Sequence, residues 1–148
     1  MRAVVQRVTR AKVTIEGKVN GEIGVGYMVL LGVDEKDTEK DLDYIVEKLT
    51  GLRIFEDEEG KMNRSILDVQ GSILLISQFT LYGDARKGRR PSFIRAARPD
   101  VAIPLYEAAI ARLSRVLPVQ TGEFGAEMQV ELVNDGPVTI LLDSERNF

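Results

Sequence analysis

The sequence contains no cysteine and no histidine. Without cysteine there is no disulfide, no thiolate nucleophile and no thiolate metal site. Without histidine there is no imidazole base and none of the usual zinc ligand sets. Any catalysis must run on hydroxyls, carboxylates, lysines, backbone dipoles or a group that the substrate brings. Long apolar runs are missing too. None approaches the ~20 residues of a membrane helix, and the opening Met1-Arg2-Ala3-Val4-Val5-Gln6 has no signal-peptide apolar core. The expectation is a cytoplasmic protein with no membrane partner. Basic charge is in slight deficit, with 20 Lys and Arg against 23 Asp and Glu for a net −3, which argues against a general coat for nucleic acid.

What is present fits one domain over residues 1–148. A chain of this length buries about 68–70% of its unfolded surface, and 44% hydrophobic with 29% charged residues is the balance of a globular protein. No internal repeat, low-complexity tract or interdomain linker interrupts it.

The chain is organised around Ser72-Ile73-Leu74-Leu75-Ile76-Ser77-Gln78-Phe79-Thr80-Leu81-Tyr82-Gly83. Its aliphatic first half reads as a strand buried on both faces. Ser77, Gln78 and Thr80 then sit at the end of that strand, where packing holds one side and solvent meets the other. That arrangement suits positioned hydrogen-bond donors. It also suits an ordinary strand end whose hydroxyls satisfy nearby backbone groups.

Before this stretch the chain is rich in strands. Arg2 to Ile15 alternates loosely as one or two strands, Glu16 to Ile23 reads as a hairpin with turns at Gly17 and Asn20-Gly21, and Gly26 to Val33 is a continuous apolar strand. Thr38 with Asp41 forms a capping-box pattern ahead of Leu42, Ile45, Val46 and Leu49 at helical spacing, and Gly51 ends that helix. Arg53-Ile54-Phe55 predicts a short strand. Glu56 to Gly60 is a solvated turn, since its four carboxylates lack the spacing and extra ligands of a calcium loop. Later, Asp100 to Leu117 predicts a second helix with Pro104 in its first turn and Pro118 as its stop. Met128–Val133 and Val138–Leu142 are two final strands.

Arg86-Lys87-Gly88-Arg89-Arg90-Pro91-Ser92-Phe93-Ile94-Arg95-Ala96-Ala97-Arg98 holds six basic residues and no acid within an acidic chain. Gly88 and Pro91 make its first part a loop. Arg86, Lys87, Arg89 and Arg90 are therefore candidates for phosphate contact, or simply a solubilising surface loop. Between the last two strands, Asn134-Asp135-Gly136-Pro137 has the composition of a tight turn, read as a hairpin.

Ser77-Gln78-Phe79-Thr80-Leu81 and Asn134-Asp135-Gly136-Pro137-Val138-Thr139, in this order and at these positions, resemble the D-aminoacyl-tRNA deacylases, also called D-tyrosyl-tRNA deacylases. The opening Met1–Val8 and the Lys87–Phe93 segment resemble the same family, so the likeness spans essentially the full length. It implies an α+β fold, with a largely antiparallel, barrel-like sheet and two main flanking helices. It implies an esterase that releases D-amino acids, and glycine mischarged on tRNA-Ala, from the 3′ end of aminoacyl-tRNA. It implies a homodimer with no metal or organic cofactor. By the same resemblance, the Gly136-Pro137 bond is cis and reaches into the partner's site of Ser77, Gln78, Phe79 and Thr80, with Asn134, Val138 and Thr139 supporting it. Thr80 is the candidate nucleophile if the protein supplies one. The mechanism the resemblance favours instead uses the 2′-hydroxyl of the terminal adenosine, with main-chain N–H groups near Phe79 and Thr80 holding the oxyanion.

Overall fold

In a computed structural model describing residues 1–148, β1 (Arg2–Ile15) is one unbroken strand. The chain turns at Glu16-Gly17, where Gly17 has φ +78, and returns as β2 (Lys18–Ile23). Asn20-Gly21 is not a second turn. Gly21 pairs with Val13 and Val19 with Thr14, so Asn20 is the extra residue of a bulge inside β2. β3 (Gly26–Gly32) follows, then α1 (Glu39–Gly51). Its capping box is formed as the sequence predicts: Thr38 N donates to Asp41 Oδ2 at 2.8 Å, and Lys40 N donates to Thr38 Oγ1 at 3.3 Å.

β4 (Phe55–Glu56) and β5 (Met62–Arg64) flank the acidic turn. β6 (Ser72–Ser77) is the central buried strand, and a single 3-10 turn, Phe79–Tyr82, continues from it. α2 (Pro99–Ser114) starts one residue earlier and ends three earlier than expected, because Pro99 opens it. Pro104 consequently lies in its second turn rather than its first. Pro104 and Asp100 are exposed, so the Asp100 carbonyl that loses its intrahelical donor can face water. β7 (Val119–Thr121) and β8 (Gln129–Asp143) complete the chain.

The main sheet runs β2-β1-β3-β6-β7, with β8 along the remaining edge of β1. It is barrel-like as expected but mixed, antiparallel around β1 and parallel where β6 meets β3 and β7. β2 and β7 approach each other at the seam, where Asn20 Nδ2 donates to Thr121 O at 2.7 Å. A Cβ on Gly21 would lie 3.0 Å from that same carbonyl, which explains the glycine. Successive side chains of β3 and β6 feed two cores. Tyr27, Val29, Leu31, Ile73 and Leu75 pack with Leu42, Ile45 and Leu49 of α1 and Tyr106 and Leu113 of α2. Met28, Leu74 and Ile76 join Val8, Val13 and Ile23 on the opposite face. Each such aliphatic side chain, fully buried, is worth about 1.5–3 kcal/mol. No helix is long and apolar enough to cross a membrane.

The largest departure from the sequence reading is at the carboxyl end. Asn134 to Pro137 is not a hairpin turn, because residues on both sides of it pair antiparallel with the same strand, β1. Asn134 lies opposite Val8 and Thr139 opposite Gln6, so only Arg7 faces the four residues Asp135–Val138. Asp135, Gly136 and Pro137 bulge outward and Val138 returns to the core, in a strand that keeps its direction.

Candidate active site

Ser77 ends the parallel ladder opposite Leu31, and Gln78 N extends it by donating to Leu31 O at 2.8 Å. The chain then winds into the 3-10 turn, in which Leu81 N donates to Gln78 O at 3.3 Å and Gly83 N to Thr80 O at 2.9 Å. The N–H groups of Phe79 and Thr80 open this turn, where a helix leaves its first donors without intrahelical acceptors. Gly32 allows the turn to sit directly on β3, since a Cβ there would lie 3.0 Å from Leu81 Cβ and 3.1 Å from Gln78 O. From the other side Arg2 Nη1 donates to Leu81 O at 3.1 Å, and its guanidinium lies 4.7 Å over the ring of Tyr82. Arg95 covers the same ring at 5.3 Å. Two guanidiniums thus lie over the Tyr82 ring. Burial, then the nearby carboxylates of Asp37, Asp34 and Asp143, push its phenol far above the ordinary tyrosine range.

Ser77, Gln78 and Phe79 form one wall of a 290 Å³ pocket, and Phe124, Ala126 and Met128 form the facing wall. Gln78 Nε2 donates to Thr80 Oγ1, the one side-chain partner of that hydroxyl. Phe79 is 55% exposed and meets Phe93 edge to face, with ring centroids 5.2 Å apart. The sequence reading did not assign Phe124, Ala126, Met128 or Phe93 to the site. The aromatic between two glycines in Gly122-Glu123-Phe124-Gly125 was the available signal for the facing wall.

The second motif stands elsewhere. The Gly136-Pro137 peptide bond is cis, and Gly136 has φ +127, where a side chain is disfavoured. Asn134 ties the bulge shut, its Oδ1 accepting from Val138 N at 3.1 Å and its Nδ2 donating to Thr139 Oγ1 at 3.0 Å. Beneath it lies Arg7, 5% exposed, whose Nε donates to Asp135 O at 3.1 Å and whose Nη1 donates to Ile54 O at 2.8 Å. Sequence reasoning missed Arg7 as well, although it shares its parity with Val5 and Val13, where a buried residue is expected. Within one chain the two motifs stay apart. Ser77 lies level with Ala3 along β1 and the bulge level with Arg7, three strands away. Strand spacing and rise put them on the order of 20 Å apart over the sheet.

The basic loop projects beside Phe93. Its base is closed by Asp84 N donating to Ser92 O at 2.7 Å and Ser92 N to Asp84 O at 2.9 Å. Arg86 is committed to Asp84 through Nε at 2.9 Å and Nη2 at 2.7 Å. The hydrogen bonds from Arg86 hold the Asp84 carboxyl down at about 2. Lys87, Arg89 and Arg90 are exposed and form no ion pair within the chain.

Residues 4–143 match the family described as D-Tyr-tRNA(Tyr) deacylase. The chain belongs to this family. Proteins named D-aminoacyl-tRNA deacylase from Symbiobacterium thermophilum and Desulfitobacterium hafniense are each 62% identical to it over its whole length, covering 99% and 100% of those proteins. One from Thermus aquaticus is 61% identical, covering 97% of this chain and 95% of its own. A solved structure described as c-Myc DNA Unwinding Element Binding Protein superposes with a TM-score of 0.91 at 46% identity, over 97% of this chain and 98% of that one. A probable eukaryotic D-amino acid tRNA deacylase, 20% identical with a TM-score of 0.81 over 95% of this chain and 97% of its own, shares the fold.

Proposed function

We propose that the chain hydrolyses the ester joining a D-amino acid to the 3′ end of tRNA, and glycine mischarged on tRNA-Ala, while rejecting L-aminoacyl groups. The observation that carries this reading is the exposed Gly136-Pro137 bulge, tied at both ends and remote from the Phe79 pocket of its own chain. In a homodimer the bulge of one copy completes the pocket of the other. Support for pairing comes from β8, which bonds to β1 alone and carries exposed Val133 and Leu141. Main-chain carbonyls aimed at the α-carbon accept the substrate ammonium and leave no space for a side chain of L configuration. Handedness is then judged by exclusion, whatever the side chain is.

The pocket between Phe79 and Met128 receives the terminal adenosine, with Ser77 and Gln78 orienting it and the acyl carbonyl. Water attacks the acyl carbon, assisted by the substrate 2′-hydroxyl. The bond from the acyl carbon to the 3′-oxygen breaks, a proton passes to that oxygen, and free D-amino acid leaves. The N–H groups of Phe79 and Thr80 hold the transient oxyanion. Thr80 fits this scheme as a positioning hydroxyl, since it has Gln78 as its partner and no base to take its proton.

Matched D- and L-tyrosyl-tRNA and a simple ester test the reading. Release from the D form alone is expected. Release from every substrate marks a general esterase and rejects chiral selection. Binding without release rejects catalysis, and would match the 46% identical relative whose description names DNA binding.

A further inference from the structure

We propose that Phe93 and Ile94 form a stacking shelf for an unpaired base that precedes the terminal adenosine of the RNA 3′ end. The inference rests on the tRNA reading above for the identity of the strand, and on its own geometry for the shelf. Phe93 is 37% exposed and touches Phe79 of the pocket, and Ile94, the next residue in the chain, is 82% exposed. Such a pair has no role in either core. Phe93 is nevertheless fixed in place: its ring meets Phe79 edge to face, its carbonyl accepts from Ala96 N at 3.1 Å, and the Asp84 to Ser92 pairing precedes it. Gly83 makes room for it, because a Cβ there would lie 3.0 Å from Phe93 Cε1. A held aromatic face that remains wet suits a base, since every base has a π-face and needs no other readout.

Charge identifies the occupant as nucleic acid. Lys87, Arg89 and Arg90 stand on the loop that leads into Phe93, and its one acid, Asp84, is taken by Arg86. Apolar faces beside unpaired cations match a chain that alternates bases with phosphates. Because Phe79 lines the pocket and touches Phe93, a strand whose last residue enters the pocket brings its preceding base onto the shelf.

The test compares D-tyrosyl-tRNA with 3′-O-(D-tyrosyl)adenosine, which lacks the preceding nucleotides. For Phe93→Ala, the loss of kcat/KM on the tRNA should exceed the loss on the adenosine ester by roughly 5- to 100-fold, the range for removing one base stack. Phe93→Trp should restore the tRNA value. Ile94→Ser, whose side chain supports nothing in the fold, should lower activity on the tRNA in the same direction. Equal losses on both substrates would reduce Phe93 to a prop for Phe79 and overturn the proposal, as would no loss on either. An altered elution volume for Ile94→Ser would assign the shelf to contact between copies and overturn it as well. Binding decides the matter independently of hydrolysis. The parent should hold uncharged tRNA that lacks only its terminal adenosine more tightly than tRNA that lacks its last three nucleotides, and Phe93→Ala should erase that difference. If the parent released D-tyrosine from neither ester, the proposed reaction would fail while this binding comparison still judged the shelf.

Discussion

Thr80 is exposed beside the residues that line the pocket, and its surroundings decide what its hydroxyl can do. A threonine nucleophile needs a neighbour to accept its proton, and here the neighbour is the Gln78 amide, which donates. The chain contains no histidine, and in the scheme proposed above the substrate's own 2′-hydroxyl takes that part. Thr80→Ala should therefore keep kcat/KM on D-tyrosyl-tRNA within about tenfold of the parent, since it removes one orienting contact. A fall of ~10⁴-fold or more with an unchanged melting temperature would make Thr80 a covalent catalyst, that being the scale of losing one.

At the scale of elements, the bulge in β8 depends on β1. Arg7 is a buried cation that bonds the carbonyls of Asp135 and Ile54, so it ties the bulge to the loop before β4. Arg7→Met fills similar volume but strands the buried Ile54 carbonyl, at a cost of about 1–3 kcal/mol, while the Asp135 carbonyl of the exposed bulge can turn to water. Denaturant unfolding should register that loss. Because the bulge also loses its floor, release from L-tyrosyl-tRNA should rise relative to the D form in the same variant. Unaltered discrimination in a destabilised Arg7→Met would confine Arg7 to folding. The elements themselves were legible where local physics fixes them. The capping box at Thr38 and the two-sided burial of β6 follow from side-chain chemistry and hydrophobic pattern. The bulge was not, because Asn-Asp-Gly-Pro supplies the same positive φ and fixed proline to a hairpin and to a bulge. Only pairing with β1 on both sides tells them apart. Arg7 was hidden for a related reason, since its partners lie 47 and 128 residues away.

For the whole molecule, the question is how a chain of net charge −3 attracts a polyanion. We propose that the answer lies in where the charges are neutralised rather than in their sum. Sequence alone counted Arg86 with Lys87, Arg89 and Arg90, but the fold pairs Arg86 with Asp84 and leaves three cations free. Each phosphate contact releases counterions, so the logarithm of affinity falls with the logarithm of salt by about 0.7 to 0.9 per contact. Three contacts give a slope near −2, and four would give about −3. Alanine at Lys87, Arg89 and Arg90 together should flatten the slope of tRNA binding by about 2 between 50 and 300 mM KCl, for any tRNA sequence. Arg86→Ala should change the slope little. Acidity should not disturb this division, because a carboxyl held at about 2 keeps its ion pair above the usual carboxylate range and loses it only as pH falls toward 2. Slopes measured at pH 6 and pH 8 should therefore agree. A triple variant that binds like the parent at every salt concentration would return the loop to an ordinary solvated surface.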